Sequence, residues 1–320
     1  MPLLFDMPLE QLKVYQGTNP RPDDFDTYWE NALAEMQAVD PQVELIPAAF
    51  ETGFADCFHL YFTGVRGARI HARFLRPKQL SDAHPALLMF HGYSWHSGDW
   101  LDKLAYAAQG FIVAALDCRG QGGLSEDTGG HSGTTLQGHI IRGLDGPAED
   151  MLYHHIFLDT AQLARIVMAM PEVDADRVGA KGGSQGGALT LVCAALEPRI
   201  KRAAPTFPFL SDYQRVWEID QAKDAYIELQ QYFRHHNPRH ENEQAVFEKL
   251  GYIDIQHLAA RIQAEVLMGV GLMDTVCPPS TQFAAYNKIA STKSLAIYPD
   301  YGHEELPGHP DTIFQFMRDM

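Results

Sequence analysis

Cysteine is scarce in this chain: four residues in 320, Cys57, Cys118, Cys193 and Cys277, all far apart. No CxxC pair and no Cys/His ligand spacing occurs, so there is no sequence signature of a structural zinc site. Isolated thiols, two of them in strand-like or helix-like apolar runs, are expected to be buried and free in a reducing compartment. Positive charge is also short. There are 25 Lys and Arg against 41 Asp and Glu, a net charge of −16. That balance argues against nucleic acid or an anionic membrane surface as partner. No uninterrupted apolar stretch is long enough to span a bilayer. The opening residues Met1-Pro2-Leu3-Leu4-Phe5-Asp6 lack the basic start and apolar core of a signal peptide. A cytoplasmic location is the resulting expectation. Internal repeats and low-complexity tracts are absent too.

What is present is ordinary for a folded α/β protein. Apolar residues make up 46% and charged residues 21% of a chain long enough for one large domain or two small ones. Residues 22–37 pattern as an amphipathic helix, with Phe25, Trp29, Leu33 and Met36 on one face. Residues 57–76 alternate as two half-buried strands around the turn Gly64-Val65-Arg66-Gly67, which predicts an antiparallel hairpin. From residue 86 onward, short apolar runs alternate with helical patterns. Ala86–Phe90, Phe111–Leu116, Arg177–Lys181, Val266–Val270 and Leu295–Tyr298 read as strands; Trp100–Ala108 and Tyr153–Met170 read as helices. This alternation predicts a doubly wound, mostly parallel sheet. Two stretches break it. Residues 118–149 form a long loop centred on Gly129-Gly130-His131-Ser132-Gly133, and loops of that length are usually functional. Residues 205–260 carry aromatic-rich helical patterns and read as a cap-like insertion between the helix after residue 186 and the next strand.

The most informative five residues are Gly182-Gly183-Ser184-Gln185-Gly186. A strand pattern leads into them and the apolar helical run Ala188–Leu196 leads out. That is a G-x-S-x-G nucleophile elbow in its strand–turn–helix context. The glycines two residues either side of the serine permit close approach of strand and helix. The backbone N–H of Gln185, opening the helix, can donate to a developing oxyanion. A serine hydroxyl needs a histidine as base, and the histidine needs a carboxylate to fix its tautomer. Asp274, in the loop after Val266–Val270, and His303, in the loop after Leu295–Tyr298, stand in the order Ser, Asp, His that this fold uses. His154, His155, His235 and His236 lie in helical patterns, and His309 is less well placed. The strand Ala86–Phe90 runs into His91-Gly92-Tyr93-Ser94, so the Tyr93 N–H is the second oxyanion donor by position, with its ring placed to wall an acyl pocket. His303-Glu304 begins like H-E-x-x-H, but Glu305-Leu306-Pro307 supplies no second histidine and disfavours a helix, so no metal is expected.

Three motifs coincide: Arg119-Gly120-Gln121, Gly182-Gly183-Ser184-Gln185-Gly186 and His303-Glu304. Together with Phe90-His91-Gly92-Tyr93, the run Asp274 to Thr281 and the Tyr28-Trp29 helix, they resemble carbohydrate esterase family 7, the acetyl xylan esterases and cephalosporin-C deacetylases. The resemblance covers nearly the whole chain. It implies an α/β-hydrolase fold over residues 1–320, with Ser184 as nucleophile, His303 as base and Asp274 as its orienting carboxylate. Tyr93 and Gln185 would line the oxyanion hole, and Arg119, Gly120, Gln121 and Glu304 would brace the site. It also implies a homohexamer, small acetylated substrates and no cofactor. A buried Arg119 would need a carboxylate partner, which the sequence does not identify. Two rivals share the elbow: a peptidase of the prolyl-oligopeptidase type, and a non-catalytic binding protein on the same scaffold.

Overall fold

The structure, a computed structural model, describes residues 4–79, 83–129 and 134–320. Gly130, His131, Ser132 and Gly133 of the predicted glycine-rich loop therefore lie outside the described residues. The described strands are β1 (Glu44–Pro47), β2 (Ala55–Thr63), β3 (Arg69–Pro77), β4 (His84–Phe90), β5 (Ile112–Leu116), β6 (Val173–Gly183), β7 (Arg202–Thr206), β8 (Glu265–Gly271) and β9 (Lys293–Tyr298). They form one sheet in the order β1-β2-β3-β5-β4-β6-β7-β8-β9. β1, β2 and β3 pair antiparallel, and so do β3 and β5. Every pair from β5 across to β9 is parallel. This is the α/β-hydrolase fold.

The helices are α1 (Leu9–Leu12), α2 (Phe25–Ala38), α3 (Leu104–Ala108), α4 (Leu152–Met168), α5 (Gln185–Leu196), α6 (Tyr213–Glu218), α7 (Ile227–His236), α8 (Glu243–Leu250), α9 (Ile255–Leu258), α10 (Pro279–Lys288) and α11 (His309–Arg318). The predicted hairpin is β2–β3, with Phe58 opposite Phe74 and Leu60 opposite Ala72. The amphipathic helix is α2, which buries Phe25, Tyr28, Trp29, Ala32 and Met36 at helical spacing. α4 is buried on all sides except at Arg165, because it lies between α5 and α2. α2, α4, α5 and α10 contribute to the core on one face of the sheet. α3 and α11 cover the other face, where Tyr106, Ile313 and Met317 pack on Leu87, Val113 and Leu267.

Two strands had no visible signal. β1 is an exposed edge with little burial, so it shows no alternation. β7, Arg202-Ala203-Ala204-Pro205-Thr206, has neither β-branched bulk in its centre nor freedom from proline. Its small residues are buried between β6 and β8, and tertiary packing overrides the local preference. The helical insertion therefore begins after β7: Pro205 and Thr206 belong to the strand, not to the insertion.

Two buried charge arrangements tie these elements together. The Arg119 guanidinium, fully buried beyond β5, donates from Nε and Nη2 to the two Asp159 carboxylate oxygens of α4 at 2.7 and 2.6 Å. Gly64 covers the pair, since a Cβ there would meet both partners at 2.8 Å. Near the insertion, Asp212 accepts from the Thr18 and Asn19 amides at 3.0 and 2.8 Å and from the Tyr15 hydroxyl at 2.8 Å. Asp254 caps α9 through the Gln256 amide and accepts the Asp212 amide at 2.9 Å. Burial, with the Asp212 charge adding to it, pushes the Asp254 carboxyl up to about 7.

Removing Asp159 strands a buried guanidinium. Asp159→Ala is expected to lower unfolding free energy by about 3–5 kcal/mol in a denaturant titration, and a loss near zero would show that the pair is not what holds α4 to the loop. Asp254 has a raised folded pKa, so the stability it adds is fully present below about 4 and drains away as pH rises to about 7. Relative to the wild type, Asp254→Asn should therefore gain stability between pH 5 and 7, with a slope of at most about 1.4 kcal/mol per pH unit. Parallel stability–pH curves for the two proteins would refute this.

Candidate active site

β6 ends at Gly183 and α5 begins at Gln185, which leaves Ser184 alone at the turn with φ 57° and ψ −121°. A side chain at Gly182 or Gly186 would overlap the backbone at Phe90. The two glycines are thus required by close approach of β4, β6 and α5. Ser184 Oγ lies 3.0 Å from His303 Nε2, and His303 Nδ1 lies 2.9 Å from Asp274 Oδ2. The three predicted residues, from three distant loops, form one hydrogen-bonded chain. His303 sits in the loop after β9. Gly271 lets that loop approach, because a Cβ there would run into the Tyr301 and Gly302 carbonyls.

Asp274 is fully buried in the loop after β8 and heavily engaged. Its Oδ1 accepts the Val276 and Cys277 amides at 2.9 and 2.8 Å, and its Oδ2 also accepts Gln282 Nε2 at 3.3 Å. These donors hold the carboxylate in place against His303. His303 is supported on its other flank by the Phe207 ring, 4.5 Å away between centroids. Glu304 accepts the Gly302 amide at 3.1 Å and so shapes the turn that presents His303.

The oxyanion-hole candidates meet at the same corner. The Ser184 amide donates to the Thr206 carbonyl at 3.0 Å and is unavailable. The Gln185 amide opens α5 and has no carbonyl one turn earlier to bond. Among the described residues the Tyr93 amide has no acceptor either. The turn that carries Tyr93 is fixed to α5 through a side-chain amide pair. Gln121 Nε2 donates to Gln185 Oε1 at 2.8 Å, Gln185 Nε2 donates back to Gln121 Oε1 at 3.1 Å, and Gln121 Oε1 also accepts the Ser94 amide at 3.0 Å. The buried Tyr153 hydroxyl donates to Gln185 Oε1 at 2.6 Å. The Tyr93 ring packs against His139 and Phe209, and its hydroxyl accepts the His139 amide at 3.5 Å. Gly120, with φ 68°, turns the chain between Arg119 and Gln121.

Several residues here were not found from sequence. Asp159, the partner of Arg119, sits in an apolar helical run that gives no hint of an ion pair. Tyr153 lies in the same run, and Phe207 and Gln282 carry no motif of their own. Cys277 is buried beside Ser184, and burial raises its thiol pKa well above the ordinary value. Asp274, Cys277 and His303 present ligand atoms within 4.8 Å of one another. A protonated thiol and a carboxylate already bonded to imidazole and amides are poor metal ligands, so the geometry suits proton transfer rather than ion binding.

An oxygen nucleophile, an oriented base and two free amides beside them are the parts needed for acyl transfer. The acetyl xylan esterase (AXE1) family profile matches residues 1–320. Among solved structures, acetyl xylan esterase 1 from Thermoanaerobacterium sp. JW/SL YS485 superposes with a TM-score of 0.96 at 62% identity, covering 98% of this chain and 99% of that one. An acetyl xylan esterase from Paenibacillus sp. R4 follows at 0.92 and 36% identity, with 98% and 99% covered. The acetyl esterase Axe7A of Xylanibacter ruminicola is 27% identical over 300 residues, which are 92% of this chain but 65% of that longer protein. The triad geometry, the oxyanion corner and these matches agree: the chain belongs to the acetyl xylan esterase (AXE1) family.

Proposed function

We propose that this protein is a serine carboxylesterase that removes acetyl groups from small acetylated substrates, xylo-oligosaccharides and other sugars, and cephalosporin C among them. The observation that carries the reading is the continuous chain from Ser184 Oγ through His303 to Asp274, at 3.0 and 2.9 Å, set on a strained elbow in a chain of this family.

The chemistry runs in two halves. Ser184 Oγ attacks the acetyl carbonyl as His303 Nε2 takes its proton, and Asp274 holds Nδ1–H and stabilises the imidazolium. The Tyr93 and Gln185 amides receive the oxyanion. His303 then protonates the leaving alcohol, and water repeats the cycle to free acetate. No metal or organic cofactor enters these steps. A short acyl pocket would favour acetyl, with each misplaced methylene costing about 1–3 kcal/mol.

The peptidase alternative has support at the level of fold alone: an acylaminoacyl peptidase from Pyrococcus horikoshii superposes with a TM-score of 0.57 at 16% identity. A cytoplasmic, homohexameric enzyme completes the proposal, in keeping with four buried free cysteines and with the family resemblance. Among the described residues, no helix is long and apolar enough to cross a membrane.

Ser184→Ala is expected to lower kcat for p-nitrophenyl acetate by about 10⁶-fold, and surviving turnover would remove Ser184 from the nucleophile's role. The wild type should cleave p-nitrophenyl acetate far faster than a peptide p-nitroanilide. Faster amide cleavage would replace the esterase reading with the peptidase one.

A further inference from the structure

A cleft lies on the α3/α11 face of the sheet, beside the elbow but not lined by Ser184 or His303. It encloses about 300 Å³. Six side chains matter to its chemistry: Lys181 of β6, His309 at the start of α11, and the apolar wall of Phe207, Leu306, Met89 and Ile313. Glu305 stands exposed on the cleft's lining.

The polar groups in this cleft are under-used. Among the described residues, Lys181 makes no ion pair, and its one hydrogen-bond partner is the Tyr106 hydroxyl at 3.5 Å. Its ammonium also lies 5.1 Å from the centroid of the Tyr106 ring. His309 is 2% exposed, yet neither ring nitrogen has a partner among the described residues. Buried polar atoms are rarely left so, and each unsatisfied group costs free energy. The space for the imidazole is created by Gly269 of β8, where any side chain would collide with it. Burial, and then the Lys181 charge, lowers the His309 pKa, so the ring is neutral at pH 7 and offers one donor and one acceptor. Both groups face a cavity that is otherwise mostly apolar.

We propose that this cleft is a binding site for a small monocarboxylate with a compact apolar body, its carboxylate held by Lys181 and His309 and its body packed against Phe207, Leu306 and Ile313. A cation without a carboxylate partner and an unsatisfied imidazole suit an anionic acceptor. The volume is at the lower end of ligand sites and admits a single ring. An occupant would touch the ring that supports His303, since Phe207 lies 4.5 Å from that imidazole. The site does not depend on which ester the enzyme cleaves.

Benzoate is the probe, titrated calorimetrically into the full-length enzyme whose Ser184 has been sulfonylated with phenylmethanesulfonyl fluoride. Binding is expected with a Kd in the millimolar range or tighter. The uncharged isostere benzamide should bind at least tenfold more weakly. Lys181→Met should weaken benzoate at least tenfold while leaving kcat/KM for p-nitrophenyl acetate within about twofold in the untreated protein. Ile313→Trp, which fills the apolar end one turn along α11 from His309, is the second variant and should also abolish binding. No benzoate heat up to about 20 mM in either form of the enzyme overturns the proposal. So does binding that disappears on sulfonylation, which would place benzoate in the catalytic site, or equal affinity in the Lys181→Met protein.

Discussion

The backbone of Ser184 is the constraint on which the rest of the site depends. With φ at 57° and ψ at −121° it occupies a region that L-residues rarely adopt, and such strain costs on the order of 1–3 kcal/mol unless the surroundings enforce it. Here they do. The Ser184 amide is bound to the Thr206 carbonyl at 3.0 Å, and its own carbonyl accepts the Ala188 and Phe209 amides at 3.0 and 3.1 Å. β6, β7, α5 and the segment after β7 therefore all meet at one residue. The serine is held clear of the sheet because these four elements would have to move together to release it.

Around that point the protein uses neutral amides rather than charges. Gln121 and Gln185 exchange hydrogen bonds, and Tyr153 adds a third to the same carbonyl oxygen. All three side chains are buried. A lone ion in this place would be costly to desolvate, whereas paired amides satisfy each other and bring no net charge to the elbow. Charge appears one layer further out and is neutralised there. Arg119 is matched by Asp159. For Asp117, burial alone would raise the carboxyl's pKa, but the His71 hydrogen bond and charge and the Leu124 and Ser97 amides together hold it well below the usual range. Asp117 thereby gathers the loops after β4 and β5, the same loops that carry Tyr93 and Gln121.

What was legible in the sequence was whatever repeats along the chain or sits at a fixed offset. The β2–β3 hairpin, α2 and the parallel strands announce themselves by period, because each buries one face or both. Ser184, Asp274 and His303 are legible because each follows a strand, in the order the fold imposes. β7 was hidden because Arg202-Ala203-Ala204-Pro205-Thr206 forms a strand only by filling the slot between β6 and β8. Asp159 was hidden for a related reason: its meaning lies in a guanidinium 40 positions earlier, and α4 otherwise reads as uniformly apolar. Phe207 and Tyr153 act through contact alone. Pairings across space leave no periodic trace, so they emerge only once the sheet order is known.

The two faces of the sheet divide the work unequally. Ser184 belongs to the densely packed face, since α5 runs from Gln185 directly into the main core with α4 behind it. His303 belongs to the loop that runs from β9 to α11 on the thinner face. His303 is held by Asp274 on its polar flank and by Phe207 on its apolar flank, and the chain then continues through Glu304 into α11. Phe207 follows β7 directly, and its amide is bound to the Gly269 carbonyl of β8 at 2.8 Å. The apolar support of His303 is therefore anchored to the two strands that flank the insertion. A change in packing under α11 reaches His303 through one aromatic ring, while Ser184 is insulated by the over-determined elbow. In this architecture Ser184 is fixed by the elbow itself, whereas the placement of the His303 ring rests on its contacts with Asp274 and Phe207.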